Sequence, residues 1–151
     1  MKRSTRLKTI LELTESQEKE AVQRLGQSRQ KVETAQQNLN NLESFLGNYT
    51  QQFNEAGNKG LSMRQLTEYR SFLGKINAAI DEQEKTIQKA QTELLNRQTE
   101  WETAHRKALG LQKVFEKAKQ EDARMEEKAQ QSEHDERASR RSVSSGKLSS
   151  I

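Results

Sequence analysis

The chain has no cysteine and no proline, and among 151 residues it has four Phe, two Tyr and one Trp. Without cysteine there is no disulfide scaffold and no thiolate metal site. Without proline nothing breaks a helix by removing a backbone donor. Apolar residues make up 30%, where a compact domain needs nearer half, so a large globular core is excluded. No run approaches the roughly 18–20 consecutive apolar residues that cross a bilayer. The start, Met1-Lys2-Arg3-Ser4-Thr5-Arg6, is basic but leads into no unbroken apolar stretch, so it does not read as a secretory signal. The expectation is a soluble intracellular chain in which 32% of residues are charged.

Low hydrophobicity with high charge also describes disorder, and periodicity decides between the two. Alternating steps of four and three from Leu7 give Leu7, Leu11, Thr14, Glu18, Ala21, Leu25, Ser28, Val32, Ala35, Leu39, Leu42, Leu46, Tyr49 and Phe53. Eleven of these 14 are apolar. From Leu66 the same steps give Tyr69, Leu73, Ile76, Ile80, Gln83, Ile87, Ala90, Leu94, Arg97, Trp101, Ala104, Ala108, Leu111, Phe115, Ala118, Asp122, Met125 and Ala129. Sixteen of these 19 are apolar. A disordered chain has no reason to keep this 3.5-residue repeat, which marks coiled-coil helices.

The phase breaks once, at Asn54-Glu55-Ala56-Gly57-Asn58-Lys59-Gly60-Leu61, where glycine and asparagine signal a turn. Ser62-Met63-Arg64-Gln65 then reads as a capping box, Ser62 at the N-cap and Gln65 at the third helical position. The expected fold is all-α: a long antiparallel two-helix coiled-coil hairpin over residues 1–138, with helices at about 5–53 and 63–136 and a turn at 54–62. At about 1.5 Å per residue the helices would be about 70 and 110 Å long. Residues 139–151, basic and serine-rich, read as a disordered tail.

The polar interruptions of the stripes suggest the register. Pairing Leu46 with Tyr69, Leu42 with Leu73, Leu39 with Ile76 and Leu25 with Ala90 sets Glu18 across from Arg97, so two charges on apolar seams neutralise each other and specify alignment. We therefore expect this register rather than one shifted by a heptad. Leu7 then faces Ala108 and helix 1 runs out. The second helix would overhang by about 25 residues, or roughly 40 Å, leaving Leu111, Phe115, Ala118 and Met125 as a docking surface.

Phe45 and Phe72 lie off the stripes, each one residue before an a position. They fall side by side on one flank near the turn, continued by Asn38 and Ala79. Two exposed phenylalanines on a polar surface suggest a binding site, and Gly47 and Gly74 nearby could admit a partner.

Catalytic and metal chemistry is missing. Gly57 and Gly60 are not followed by the Gly-Lys-Ser/Thr of a phosphate loop. His105 and His134 have no ligand partner at metal spacing and read as solvated. A hairpin offers no pocket for nucleophilic catalysis, so neither an enzyme nor a cofactor is expected. Cations collect at the ends (Lys2, Arg3, Arg6 and Lys8, then Arg137, Arg140, Arg141 and Lys147) and leave the middle net acidic. A nucleic-acid binder would spread them along its length between stacking aromatics.

The segment Leu66-Thr67-Glu68-Tyr69-Arg70-Ser71-Phe72-Leu73, followed by Ile76, Ala79 and Ile80, together with the length and the turn position, resembles the FliJ family of the bacterial flagellar type III export apparatus over residues 1 to about 138. The resemblance implies a protein without enzymatic activity, similar to the central stalk of rotary ATP synthases, whose terminal end inserts into the hexameric export ATPase. It implies docking on the cytoplasmic domain of the export-gate membrane protein FlhA, escort of empty export chaperones, and a cytoplasmic place at the inner-membrane apparatus. The family's gate-binding surface corresponds to Asn38, Leu42, Phe45, Tyr49, Phe72, Ile76, Ala79 and Gln83. A generic coiled-coil adaptor of another secretion or scaffold assembly is the alternative.

Overall fold

The computed structural model describes residues 2–149, with side chains for residues 2–144. Two helices account for nearly all of it: α1, Arg3–Asn58, and α2, Met63–Ser149. The described residues contain no strand. No described helix is long and apolar enough to cross a membrane. The chain divides into two compact units, Lys19–Thr103 on the one hand and Met1–Glu18 with Ala104–Ile151 on the other.

In the unit Lys19–Thr103 the two helices double back on each other as an antiparallel pair. The turn is shorter than the sequence suggests, because Asn54–Asn58 stay helical. The N–H of Lys59 bonds the Ala56 carbonyl at 3.1 Å and that of Gly60 bonds the Gly57 carbonyl at 3.2 Å. These bonds tighten the last turn and satisfy carbonyls that would otherwise lack partners. Gly60 then takes φ +93°, a left-handed conformation that side-chain-bearing residues rarely adopt. The capping box forms as expected: the Gln65 N–H donates to Ser62 Oγ at 3.2 Å and the Ser62 N–H donates to Gln65 Oε1 at 3.0 Å.

Both heptad stripes are the buried ones. Leu11, Ala21, Leu25, Ala35 and Leu39 of α1, and Ile76, Ile87, Ala108 and Ala118 of α2, are each at most 8% exposed. The stripes were therefore read correctly, but their alignment was not. Leu39, expected opposite Ile76, joins a core cluster with Ala35, Ile87 and Ile80. Tyr69, expected opposite Leu46, stacks on Phe53. The register lies one heptad along.

The unit that holds both termini shows the same displacement. The Ser4 N–H bonds Asp122 Oδ2 at 3.3 Å, and Arg3 reaches Glu121 at 3.8 Å. The beginning of α1 thus extends to Asp122, well past the expected end at Ala108. No acidic residue lies in the first turn of α1, and Asp122 of α2 supplies the anion that the helix N-terminus favours. The expected overhang is corrected accordingly: Ala118 is 2% exposed, Leu111 and Phe115 are half-buried, and of the four residues only Met125, at 72%, stands in the open.

The pairing of Glu18 with Arg97 is corrected too. Glu18 Oε1 lies 2.6 Å from Nδ1 of His105, so that histidine has a partner rather than water alone. Arg97 reaches Glu100 at 3.0 Å and Glu93 at 3.7 Å on its own helix. The energetics explain why the charges did not set the register. Covering a leucine or phenylalanine is worth roughly 1.5–3 kcal/mol, whereas a partly exposed ion pair contributes about 0–1 kcal/mol. The register that covers Leu111, Phe115 and Ala118 wins, and both charges find neighbours elsewhere.

The other polar members of the stripes have hydrogen-bond partners, with one exception. Thr14 Oγ1 donates to the Ile10 carbonyl at 2.8 Å, and Gln83 Nε2 donates across to the Ala35 carbonyl at 2.9 Å. Ser28, 3% exposed, has a buried hydroxyl with no hydrogen-bond partner. Such a group costs about 1–3 kcal/mol, and alanine is also the better helix former. Ser28→Ala is therefore expected to stabilise the chain by about 1 kcal/mol, read as a higher melting temperature by circular dichroism.

α2 continues past the expected end at residue 136 and is helical as far as Ser149. Arg137 pairs with Glu133 at 2.8 Å and Arg140 with Glu136 at 2.9 Å, the i,i+4 spacing that supports helix. Of the segment expected to be a disordered tail, residues 150 and 151 lie outside the described residues.

Candidate functional site

Five of the aromatic rings gather next to the turn, all within the unit Lys19–Thr103. Phe53 stacks on Tyr69 with centroids 3.5 Å apart, Tyr69 on Tyr49 at 5.1 Å, and Tyr49 meets Phe72 at 4.7 Å. Phe72 takes the edge of Phe45 at 6.0 Å, and Phe45 lies 6.3 Å from Tyr49, one helical turn away. Offset and edge-on pairs of this kind add roughly 0.5–1.5 kcal/mol each beyond the area they bury.

The cluster grades from core to surface. Phe53, Tyr69 and Tyr49 are half-buried stripe residues. Phe45 and Phe72 are 50% and 38% exposed. The sequence placed these two side by side, and the structure brings them together even in the shifted register. It missed that Tyr49 bridges them. The signal was present: Tyr49 follows Phe45 by four residues, the spacing at which helical side chains meet.

The remaining candidate residues divide by orientation. Asn38 and Ala79 are exposed, and Leu42 is half-buried. Ile76 is 5% exposed, so it supports the face from below. Gln83 has turned inward onto the Ala35 carbonyl. Asn38 and Gln83 also line a shallow groove of about 510 Å³ that includes Thr34, Ala35, Thr86 and Ala90. The small side chains at Ala35 and Ala90 leave this space open between the helices. A Cβ added at Gly47 or Gly74 would meet nothing within 4 Å, so packing within the chain does not require either glycine.

This arrangement suits binding. It presents a rigid aromatic face of the kind that anchors protein interfaces, bordered by amide and alanine. No group of His, Asp or Glu able to hold a metal ion occurs among the described residues. Two of the four cations near the start of the chain are engaged: Lys2 lies 3.5 Å from Glu126 and Arg3 lies 3.8 Å from Glu121. Both pairs are well exposed and add little stability.

A comparison with curated proteins finds no match, and neither does one with solved structures. The family model described as the flagellar FliJ protein matches residues 1–147, further than the segment that carried the resemblance. The chain belongs to the FliJ family, and with it to the non-catalytic components of the flagellar protein export apparatus.

Proposed function

We propose that the protein is a cytoplasmic stalk of the flagellar export apparatus, engaging the hexameric export ATPase through the unit that carries its termini and docking on the cytoplasmic domain of FlhA through the aromatic face beside the turn. The chain performs no hydrolysis. It binds two partners, and an empty export chaperone can travel on the same surfaces to be reused at the membrane. The observation that carries the reading is the pair Phe45 and Phe72, half exposed and locked edge to face on a backbone that is continuously helical from Arg3 to Asn58 and again from Met63. A soluble protein has little reason to keep such rings in water unless a partner covers them.

Reconstitution tests this. The full chain, the purified ATPase hexamer and the FlhA cytoplasmic domain should co-elute as a ternary complex, each pair binding more weakly than the three together. Binding of neither partner at micromolar concentrations would rule out the coupling role and leave a coiled-coil adaptor of another assembly.

A further inference from the structure

The five rings beside the turn alternate between the two helices. Phe53, Tyr49 and Phe45 stand on α1 at intervals of four residues, and Tyr69 and Phe72 stand on α2 three residues apart, the spacings that put side chains on one helix face. Their order of contact singles out Tyr69. It stacks on Phe53 and on Tyr49, with interplanar angles of 13° in both pairs. Tyr49 alone passes the contact on to the exposed pair, to Phe72 at 4.7 Å and to Phe45 at 6.3 Å. No ring contact joins Tyr69 directly to Phe45 or Phe72 among the described residues.

A ring on a pair of helices has solvent on one side and no third layer of structure to hold it. Its side-chain torsions are then fixed by the rings it touches. Phe45 and Phe72 lean on Tyr49 and on each other, and Tyr49 is held by its near-parallel stack on Tyr69. Phe53 closes the far side of that stack, with its centroid 3.5 Å from that of Tyr69.

We infer that Tyr69 is a positioning residue for the docking face: through Tyr49 it holds Phe72 and Phe45 in the edge-to-face arrangement that a partner meets. The inference rests on the docking role proposed above. The flat ring does this, because every one of these contacts is made by a ring face or edge and none by the hydroxyl. An anchor already held in its bound rotamer loses less freedom on association than one that is free to turn. The effect of Tyr69 is therefore on affinity, beyond any effect on stability. Leucine at this position keeps apolar bulk and favours helix, but it offers Tyr49 no plane to stack on.

Two measurements on the full chain test this. Calorimetric titration gives affinity for the FlhA cytoplasmic domain. Nuclear Overhauser contacts between ring protons give the geometry of Phe45, Tyr49 and Phe72 without any partner. Tyr69→Leu should weaken binding at least tenfold and lose the contacts between the Phe45 and Phe72 rings. Tyr69→Phe should keep both within about twofold. Leu39→Ala, in the separate cluster with Ala35, Ile80 and Ile87, should lower stability and leave affinity unchanged. Wild-type affinity or unchanged ring contacts in Tyr69→Leu overturns the positioning role. Equal loss of affinity in Tyr69→Phe overturns it by making the hydroxyl a direct contact, and equal loss in Leu39→Ala overturns it by reducing the effect to stability. If the wild-type chain does not bind the FlhA domain, the docking reading fails by itself, and the ring contacts alone decide whether Tyr69 orders the face.

Discussion

Phe45→Ala combined with Phe72→Ala is expected to lower affinity for the FlhA cytoplasmic domain at least a hundredfold and to leave the helical content unchanged. Interface anchors of aromatic type typically cost 2–4 kcal/mol each when truncated, and two in contact act as one unit rather than adding fully. The fold tolerates the loss because both rings are on the outer side of the cluster. Tyr49 keeps its stack on Tyr69, and Tyr69 keeps Phe53. What disappears is the edge contact between the two rings at 6.0 Å, their contacts with Tyr49 at 6.3 and 4.7 Å, and rings that are 50% and 38% in water already. Calorimetric titration against the FlhA domain, with circular dichroism on the same samples, reads both quantities. An affinity equal to that of the wild-type chain would withdraw the aromatic face as the docking site.

Leu39→Ala and Leu13→Ala remove the same atoms from α1 with opposite consequences. Leu39 is 8% exposed and packs with Ala35, Ile80 and Ile87. Its truncation deletes buried methyl groups and leaves a cavity, which costs about 2–5 kcal/mol. In a structure only two helices thick the site can partly collapse, so about 3 kcal/mol is expected. Leu13 is 61% exposed, and its truncation should stay within about 0.5 kcal/mol. Urea unfolding of the two variants measures the contrast. Equal midpoints would mean that Leu39 is not in the core and that the stripe is misplaced.

The positions of the buried residues were legible in the sequence because burial on a helix depends only on spacing. The stripes read from Leu7 and from Leu66 coincide with the residues withdrawn from solvent, and the box at Ser62 and Gln65 needs only local geometry. Alignment is a different kind of quantity. Moving one helix by seven residues keeps every stripe position facing its partner, so periodicity is blind to it, and the choice fell on Glu18 and Arg97. Their pairing was worth too little to compete with covering Phe115 and Leu111. The same blindness hid the contact of His105 with Glu18. Phe45 and Phe72 remained legible because neither belongs to a stripe, and an off-stripe ring near a turn stays near the surface in either alignment. Ile76 and Gln83, which face inward, are stripe positions, so spacing already set them apart from the surface members; only the bond of Gln83 to the Ala35 carbonyl needed the packing.

The aromatic cluster also bears on how the chain reaches this state. Phe53 and Tyr69, which stack at 3.5 Å, are close neighbours along the polypeptide, whereas Ser4 and Asp122 are 118 residues apart. Closing the short loop loses less chain entropy than closing the long one, and rings that join early reward it at once. Assembly therefore zips outward from the turn, without an X–Pro isomerisation or a disulfide exchange to slow it. On this account the segments nearest the two ends are the last to pair and the first to come apart.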